Sequence, residues 1–253
     1  MTILRSKYTL IALLLAICVP TFGTAQPNCT NQDFEGASFA ICQFSVGQDD
    51  IRLFHRNDAG AIFGSFRALG QDLRSRNLSL AFAMNGGMFH DDRRAVGMYI
   101  ENGVQAARLV TRDGPGNFGL LPNGVFCLTD TKAAVIESKT YAAQLPDCRF
   151  ASQSGPMLVI DGALHPRFLP DSDSRFVRNG VGVSADGTTV IFAISNQRVN
   201  FHHFGRLFRN HLKTPNALYF DGKVSRLFAP ELGRDDLGLP LGPMVGVVVP
   251  LTQ

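Results

Sequence analysis

Short apolar runs, and short stretches in which apolar and polar residues alternate, recur along the chain with turn-forming residues between them. This period-two pattern with frequent interruptions predicts many short β-strands. The predicted strands cover residues 38–44, 50–55, 78–84, 97–101, 103–109, 124–128, 133–137, 157–160, 163–165, 181–184, 189–195, 217–220 and 245–249. Asn-Gly and Asp-Gly pairs tolerate positive φ, so tight hairpin turns are predicted at Asn102-Gly103, Asp161-Gly162 and Asp186-Gly187.

Two other segments have the 3.6-residue spacing of an amphipathic helix. The first covers residues 62–76, and the second covers 200–213, where Asn200 is a suitable N-cap and Pro215 follows the end. The chain contains no linker-like stretch and no internal repeat. We therefore predict one α+β domain over residues 26–253, with a mixed or antiparallel sheet and a few packed helices.

The composition is that of a globular protein rich in turns. Of the 253 residues, 45% are hydrophobic and 18% are charged, which excludes disordered, collagen-like and coiled-coil classes. The 25 glycines and 13 prolines are typical of many short strands joined by turns, and they argue against a helix bundle.

The first 25 residues have the pattern of a secretory signal peptide. Arg5 and Lys7 precede an apolar run of 11 residues at 9–19, and small residues lead to a predicted cleavage site after Ala25. A membrane anchor is the alternative, but a membrane span needs about 20 apolar residues. We therefore predict an exported protein, periplasmic or secreted, with no membrane partner once the signal peptide is removed.

Net charge gives no case for a nucleic-acid partner. Without Arg5 and Lys7 of the predicted leader, the 24 basic residues become 22 against 21 acidic ones, a net charge of +1. Binding to a nucleic-acid backbone is driven mainly by positive charge, which this chain lacks as a whole.

Four cysteines follow the predicted leader: Cys29, Cys42, Cys127 and Cys148. An even number in an exported chain favours disulfides, and three pairings are open. The local pairing, Cys29 with Cys42 and Cys127 with Cys148, closes the shortest loops. A zinc site is the competing interpretation, but no pair has the Cys-x-x-Cys spacing of such sites.

Two glycine-marked motifs suggest anion binding. Asn85, Gly86 and Gly87 follow a buried strand, where exposed backbone N–H groups could bind a phosphate or a sugar hydroxyl. Arg178 and Asn179 enter a predicted hairpin strand, where a guanidinium could fork onto a phosphate. The alternatives are a simple tight turn for the first motif and a surface arginine beside a β-bulge for the second.

Two further motifs carry candidate polar chemistry. Gln153 and Ser154 could orient a polyol, and the lack of a G-x-S-x-G segment around Ser154 excludes the usual serine-hydrolase elbow. Asp221 directly follows a buried strand and Ser225 lies close behind it. Such a carboxylate could be a general base, a nucleophile or a ligand for a divalent ion, and the alternative is an ordinary Asp-Gly turn.

Taken together and in this order, the four motifs resemble those of the phosphodiester glycosidase family. The matching segments are Asn85-Gly86-Gly87-Met88-Phe89, Gln153-Ser154-Gly155-Pro156-Met157, Arg178-Asn179-Gly180-Val181-Gly182 and Ala217-Leu218-Tyr219-Phe220-Asp221-Gly222 with Ser225. The resemblance spans about residues 38–249. The family commonly continues its last motif as Asp-Gly-Gly-Gly-Ser, whereas Lys223 here adds a cation near any bound phosphate.

The resemblance implies an exported hydrolase that cleaves the glycosidic bond of a sugar-1-phosphodiester, with a glycan phosphodiester as its partner. It assigns catalysis to two residues: Asp221, as acid/base or metal ligand, and Arg178, which would hold the phosphodiester. The implied substrate-binding residues are Asn85, Gly86, Gly87, Gln153, Ser154, Asn179 and Ser225. No cofactor is certain; a divalent cation stays open and its ligands are unknown.

Glycosidases commonly use two carboxylates, and Asp91, Asp161 and Glu101 are the candidates for the second.

Two other functions are open. One is a non-catalytic glycan-binding envelope protein with the same fold. The other is a metal-dependent phosphodiesterase, which is disfavoured because the sequence lacks the dense set of His and Asp ligands of two-metal sites. Catalysis predicts that polar groups of the four motifs converge on an open cleft of substrate size.

Overall fold

The computed structural model describes residues 28–251, so the predicted signal peptide lies outside the described residues. The strands, in chain order, are β1 (Cys29–Phe34), β2 (Ala37–Ser45), β3 (Asp50–Phe54), β4 (Leu78–Asn85), β5 (Tyr99–Glu101), β6 (Val104–Ala107), β7 (Gly124–Leu128), β8 (Ala133–Glu137), β9 (Phe150–Ser154), β10 (Met157–Ile160), β11 (Ala163–Leu164), β12 (Asn179–Val183), β13 (Thr189–Ser195), β14 (Asn216–Asp221), β15 (Leu227–Ala229), β16 (Arg234–Asp235) and β17 (Met244–Pro250). The helices are α1 (Phe66–Ser75), α2 (Ser138–Gln144) and α3 (Phe201–Arg206), with a π-helical turn at Leu207–His211 and a 3-10 turn at Pro230–Leu232.

The strands form three sheets. The large sheet has the order β1-β2-β13-β12-β14-β10-β11, the β4 sheet has the order β16-β15-β4-β17-β3, and the β9 sheet has the order β6-β5-β9-β7-β8. Every pair of neighbouring strands is antiparallel. The predicted α+β fold is confirmed, and of its two predicted sheet types the antiparallel one is present.

One aromatic cluster joins the inner faces of the three sheets. Phe192 of the large sheet stacks on Phe82 of the β4 sheet with ring centroids 5.1 Å apart. Phe126 of the β9 sheet contacts Phe192 edge-on at 6.1 Å and Phe220 at 6.3 Å. All four rings are buried, so this cluster fixes the sheets against one another near the end of β14.

A second apolar layer covers the opposite face of the large sheet. Phe204 of α3 and Phe208 of the π-helical turn are fully buried against this face, together with Phe39 and Tyr219. Side chains alternate between faces along a strand. Tyr219 and Asp221 therefore lie on the α3 side of β14, whereas Phe220 points into the central cluster.

Both predicted helices are present but shorter than predicted. α1 begins at Phe66 because Gly64 has φ of +67° and the Ser65 side chain caps the helix by accepting a hydrogen bond from the Ala68 N–H at 3.1 Å. α3 is capped as predicted, since the Asn200 side chain accepts from the His203 N–H at 2.8 Å. After Arg206 the helix widens into the π-helical turn.

Several strand boundaries also differ from the prediction. β5 begins at residue 99 and β6 ends at residue 107, so both are shorter than expected. The sequence prediction missed β1, β9, β15, β16 and α2, whose residues lack a clear apolar period. No helix within residues 28–251 is long and apolar enough to cross a lipid bilayer.

The disulfides follow the predicted local pairing, Cys29 with Cys42 and Cys127 with Cys148. Cys29 and Cys42 are cross-strand partners of β1 and β2. The second bond ties β7 to the residues just before β9. The zinc interpretation of these cysteines is therefore wrong.

Candidate active site

The four predicted motifs lie at strand ends that meet at one place. Asn85 ends β4, Ser154 ends β9, Asn179 begins β12 and Asp221 ends β14. These strands belong to all three sheets. Hydrogen bonds hold these strand ends together.

Asn85 connects the end of β4 to the segment after Asp221. Its side-chain amide donates to the Val224 carbonyl, and its Oδ1 accepts from the Arg226 N–H at 2.7 Å. The side chain is fully buried. Gly86 packs against the backbone at Met244, where a β-carbon at position 86 would lie 2.7 Å from the Met244 carbonyl carbon. Asn85 and Gly86 therefore tie the end of β4 to the Asp221 loop and to the backbone at Met244.

The β9 motif is bonded to two other motifs. Ser152 donates its hydroxyl to the Gly86 carbonyl, and Ser154 donates to the Phe220 carbonyl at 3.0 Å. Gly87 has φ of +149°, and a β-carbon there would be 2.5 Å from Ser152 Oγ. The glycine is thus required both by its backbone conformation and by the close approach of β9.

Gln153 uses its whole side-chain amide inside the protein. Its Oε1 accepts from the Met98 and Val110 N–H groups, each at 3.0 Å. Its Nε2 donates to the Val110 carbonyl at 2.6 Å and to the Ser138 hydroxyl at 2.8 Å. These four bonds exhaust the hydrogen-bonding capacity of the amide. Gln153 therefore clamps the surrounding loops and has no group left for a substrate.

Asn179 and Ser225 hold the loop that follows Asp221. Asn179 Nδ2 donates to the Asp221 carbonyl at 3.1 Å and to Ser225 Oγ at 2.9 Å. The Ser225 hydroxyl in turn lies 2.9 Å from the Val177 carbonyl oxygen, to which it donates. The loop from Gly222 to Val224 is therefore anchored at both ends.

A cavity of about 890 Å³ opens beside this junction. Of the predicted catalytic and substrate-binding residues, Asp221 is the one that lines it. The other lining residues are Met88, Phe89, His90, Asp91, Arg93, Val96, Asn117, Phe176, Tyr219, Gly222, Lys223, Val224, Leu239 and Pro240. The wall is mainly apolar and carries a few polar groups, which is the usual character of a small-molecule site.

Asp221 presents one carboxylate oxygen to the cavity. Its Oδ1 accepts hydrogen bonds from the N–H groups of Gly222 at 2.6 Å and Lys223 at 2.9 Å. The Val224 N–H also approaches the carboxylate and acts to lower its pKa. Burial raises the pKa of Asp221, and the backbone donors and the Lys223 ammonium partly oppose that rise. Such a carboxylate can accept or deliver a proton, or attack a bound substrate.

Tyr219 is the main site residue that the sequence prediction missed. It lies two residues before Asp221 on β14, and both line the cavity. Burial raises the pKa of Tyr219, against the opposing effect of the nearby Arg178 guanidinium, so the hydroxyl stays protonated and can donate. Strand alternation was the available signal, because a residue two positions before Asp221 must share its face.

Arg178 lies behind Tyr219 and does not line the cavity. Its Nε donates to the Val199 carbonyl and its Nη2 to the Ser174 carbonyl, both at 2.9 Å, and its guanidinium carbon lies 3.5 Å from the centre of the Phe201 ring. The side chain is fully buried, and burial lowers its pKa. The predicted bidentate hydrogen bond to a phosphate requires a guanidinium that reaches the cavity, and Arg178 does not line it. Arg178 instead packs on two rings that line the cavity, Tyr219 at 5.4 Å and Phe176 at 5.5 Å from its guanidinium carbon.

The candidates for a second carboxylate lie in different places. Asp91 lines the cavity with its side chain exposed. Asp161 occupies a hairpin turn, where its N–H donates to Asn216 Oδ1 at 2.9 Å. Glu101 accepts a hydrogen bond from the Tyr99 hydroxyl at 2.9 Å. Only Asp91 of the three shares the cavity with Asp221.

Other charged groups on the wall come from loops that the motifs did not mark. Arg93 and His90 belong to the turn between β4 and β5, and Lys223 follows Asp221.

Within residues 28–251, no three His, Cys, Asp or Glu side chains cluster in a way that could hold a metal ion. The carboxylates that a divalent cation would find on the cavity wall are Asp91 and Asp221.

The chain matches a known protein family and a protein of similar sequence. Residues 79–235 match the family described as phosphodiester glycosidase. The chain is 31% identical over 230 residues to the uncharacterized protein YigE of Escherichia coli (strain K12), covering 90% of this chain and 87% of that one.

Two solved structures share the fold. The catalytic domain of zebrafish N-acetylglucosamine-1-phosphodiester alpha-N-acetylglucosaminidase, auto-inhibited by its pro-peptide, superposes with a TM-score of 0.56 at 12% identity, covering 89% of this chain and 85% of that one. A hypothetical protein from Synechocystis gives a TM-score of 0.55 at 12% identity, covering 87% and 61%.

These matches define the class of protein. The family match covers more than half of the chain, the Escherichia coli relative is 31% identical along most of its length, and the solved structures share the fold. The chain belongs to the phosphodiester glycosidase family.

Proposed function

We propose that the protein hydrolyses the glycosidic bond of a sugar-1-phosphodiester in the cavity around Asp221. The observation that carries this proposal is the Asp221 carboxylate. One of its oxygens is fixed by two backbone donors, and the other is left for the cavity. Among the residues expected to bind substrate, it is the one placed to touch a ligand.

In this reaction the oxygen of a water molecule bonds to the anomeric carbon of the sugar. The bond from that carbon to the bridging phosphate oxygen breaks, and its electron pair stays with the phosphate. The products are a free sugar and a phosphate monoester, and the proton of the water passes through Asp221 Oδ2 to the medium or to the product. A phosphate is a good leaving group, so strong acid assistance from a second carboxylate is not required.

The cations on the wall suit the charge of the phosphodiester. Arg93 and Lys223 both line the cavity and would offset the phosphate charge as it grows on the leaving group. The Tyr219 hydroxyl would donate a hydrogen bond to the same group. Arg178 would be a positioning residue, because it does not line the cavity and its guanidinium carbon lies 5.4 Å from the centre of the Tyr219 ring.

The remaining predicted binding residues have a different part in this proposal. They are Asn85, Gly86, Gly87, Gln153, Ser154, Asn179 and Ser225, and they fix the strand ends and loops on which Asp221 and Tyr219 are mounted. Phe89 and Phe176 would provide apolar surface for the sugar ring. The specificity for the sugar would then lie in the loops of the cavity.

Export fits the same proposal. The predicted signal peptide and the two disulfides both favour an oxidising compartment outside the cytoplasm. The substrate would then be a glycan phosphodiester of the periplasm or of the exterior.

The test is turnover of a panel of sugar-1-phosphodiesters by the purified exported protein, with and without a chelator, beside Asp221→Asn. The proposal expects release of free sugar together with a phosphate monoester by the wild type and not by the variant. Folded wild-type protein that binds these compounds and releases no sugar would overturn it in favour of a glycan-binding protein. Chelator-sensitive release of a sugar-1-phosphate would indicate a metal-dependent phosphodiesterase.

A further inference from the structure

A second cavity, of about 440 Å³, adjoins the first across the loop from Gly222 to Val224. Both cavities share this loop, and Phe176 and Leu239 line both as well. The two cavities are therefore neighbours on either side of Lys223. No reaction chemistry of the main site makes use of this space.

The charged residues that line the second cavity are all cations. They are Arg198, Lys223 and Arg226, and among residues 28–251 no carboxylate lines this wall. Three like charges around one small space repel each other unless an anion lies between them. The outer wall is formed by exposed Leu237 and Leu239, which would reduce the contact of a bound anion with water.

Arg226 is the strongest single sign of a ligand. Its side chain is only 6% exposed, yet its Nε and Nη2 are buried with no hydrogen-bond partner among residues 28–251. The nearby Asp236 is already engaged, since it accepts from Arg234 and from the Leu227 N–H at 3.0 Å. A buried cation without a partner is costly and is seldom retained without a function.

A backbone hydrogen bond holds Arg226 at this wall. The Arg226 N–H donates to Asn85 Oδ1 at 2.7 Å, so the same contact that joins β4 to the Asp221 loop also fixes the origin of the arginine side chain. The main site and the second cavity are thus built on one hydrogen-bonded junction.

We propose that the second cavity binds a second anionic group, a phosphate monoester, carried by the alcohol portion of the phosphodiester substrate. This inference rests on the proposed function, because it assigns the sugar to the main cavity and the alcohol to the second. The preferred substrates would then be sugar-1-phosphodiesters whose alcohol bears a further phosphate.

The kinetic test compares two substrates that differ only in that group: the sugar-1-phosphodiesters of ethylene glycol and of ethylene glycol monophosphate. We expect kcat/KM for the second to exceed that for the first by about tenfold or more, which corresponds to about 1.4 kcal/mol. Arg226→Gln and Arg198→Gln should each bring this ratio close to one. Arg67→Gln, which removes the same charge from the exposed face of α1, should preserve the ratio.

A binding test keeps the inference separate from the hydrolysis reaction. Titration of the protein with inorganic phosphate should show at least tenfold weaker binding by Arg226→Gln and no change for Arg67→Gln. The Arg226→Gln protein is expected to melt no lower than the wild type, because it loses an unpaired buried charge. If Arg226→Gln does not fold, the same phosphate titration is carried out with Arg198→Gln, because Arg198 is exposed and its replacement should not affect folding.

The two proposals fail in different ways. If both diesters are hydrolysed with equal kcat/KM and neither arginine variant changes the ratio, the second cavity has no such role while the proposed function stands. If phosphate binding depends on Arg226 but neither diester is cleaved, the proposed function fails and the anion site remains.

Discussion

The Tyr219 hydroxyl lies directly against Gly222, so close that a β-carbon at position 222 would be 2.0 Å from the hydroxyl oxygen. Gly222 has no positive φ that would demand glycine. Glycine is needed here because the hydroxyl occupies the space of a side chain. Gly222 therefore leaves room for the Tyr219 hydroxyl beside the cavity, in addition to its place in the turn after β14.

Gly222→Ala should displace the Tyr219 hydroxyl and lower kcat by about tenfold or more, as expected when a transition-state donor is lost. Combining it with Tyr219→Phe removes the closest clash, because the next nearest atom, Cζ of the ring, lies at 3.2 Å. Steady-state kinetics should then show the double variant no less active than Tyr219→Phe alone. Gly70→Ala is the control, since its β-carbon meets only the Arg74 side chain at 3.7 Å. Additive losses in the double variant would contradict this contact.

Asp221→Asn should reduce kcat by about 10²–10⁴-fold, the usual size of a lost general acid–base contribution. The amide keeps the shape of the carboxyl group, so the fold should be retained. Measuring sugar release and the far-ultraviolet circular dichroism spectrum of the same preparation checks both points. A variant with full activity would remove Asp221 from the mechanism.

The same substitution should change how stability depends on pH. Burial raises the pKa of Asp221 in the folded state above its unfolded value. Stability is therefore lost as pH rises from the unfolded pKa through the folded pKa, because the folded state must then hold a buried charge. Asp221→Asn should raise Tm at neutral pH and lose that advantage at pH values below the unfolded pKa, near 3.9. A gain in Tm that grows toward low pH would have the wrong sign.

Arg178 should act on the reaction through Tyr219. Arg178→Met should lower kcat/KM by about tenfold in the wild-type background and should cause little further loss in Tyr219→Phe. This double-mutant cycle tests whether Arg178 positions Tyr219. A merely structural role would reduce activity equally in the wild-type and Tyr219→Phe backgrounds. Chemical denaturation of the same four proteins would separate the loss of the bonds to Val199 and Ser174 from the kinetic effect.

Each disulfide should stabilise the fold by about 2–4 kcal/mol. Replacing Cys127 and Cys148 together by serine should lower the free energy of unfolding by that amount, measured by urea denaturation. Replacement of Cys29 and Cys42 should have a similar effect and leave the active cavity intact, because β1 is at the edge of the large sheet. Peptide mapping without reduction should recover these two local pairs and no crossed pair.

The apolar period predicted the strands that build the core. The boundaries of β10 and β13 agree with the prediction, since both strands are apolar and flanked by clear turns. β1 and β9 were missed because their residues are mostly polar, and their positions depend on partners distant in sequence. A strand such as β9 is recognisable only once Ser152 and Ser154 are seen to bond to Gly86 and Phe220 of other motifs.

The site was predicted in part for a similar reason. Asp221 was predicted because a carboxylate at the end of a buried strand can line a cavity at the edge of the sheet, and it does line the cavity. The sequence does not show burial, so Arg178 was expected to reach a ligand although it is fully buried. Arg93 and Lys223 come from loops whose meeting depends on how the sheets pack. Gln153 was expected to contact the substrate, because the sequence does not reveal the four internal hydrogen bonds of its amide. All four are made to residues distant in the chain.

The most direct test of the central claim is hydrolysis of a sugar-1-phosphodiester in water enriched in oxygen-18. Attack at the anomeric carbon breaks the carbon–oxygen bond, so mass spectrometry should find the label at C1 of the released sugar and none in the phosphate monoester. Label in the phosphate product would show that a phosphorus–oxygen bond is broken, and that result would contradict the assignment of Asp221 to glycosidic cleavage.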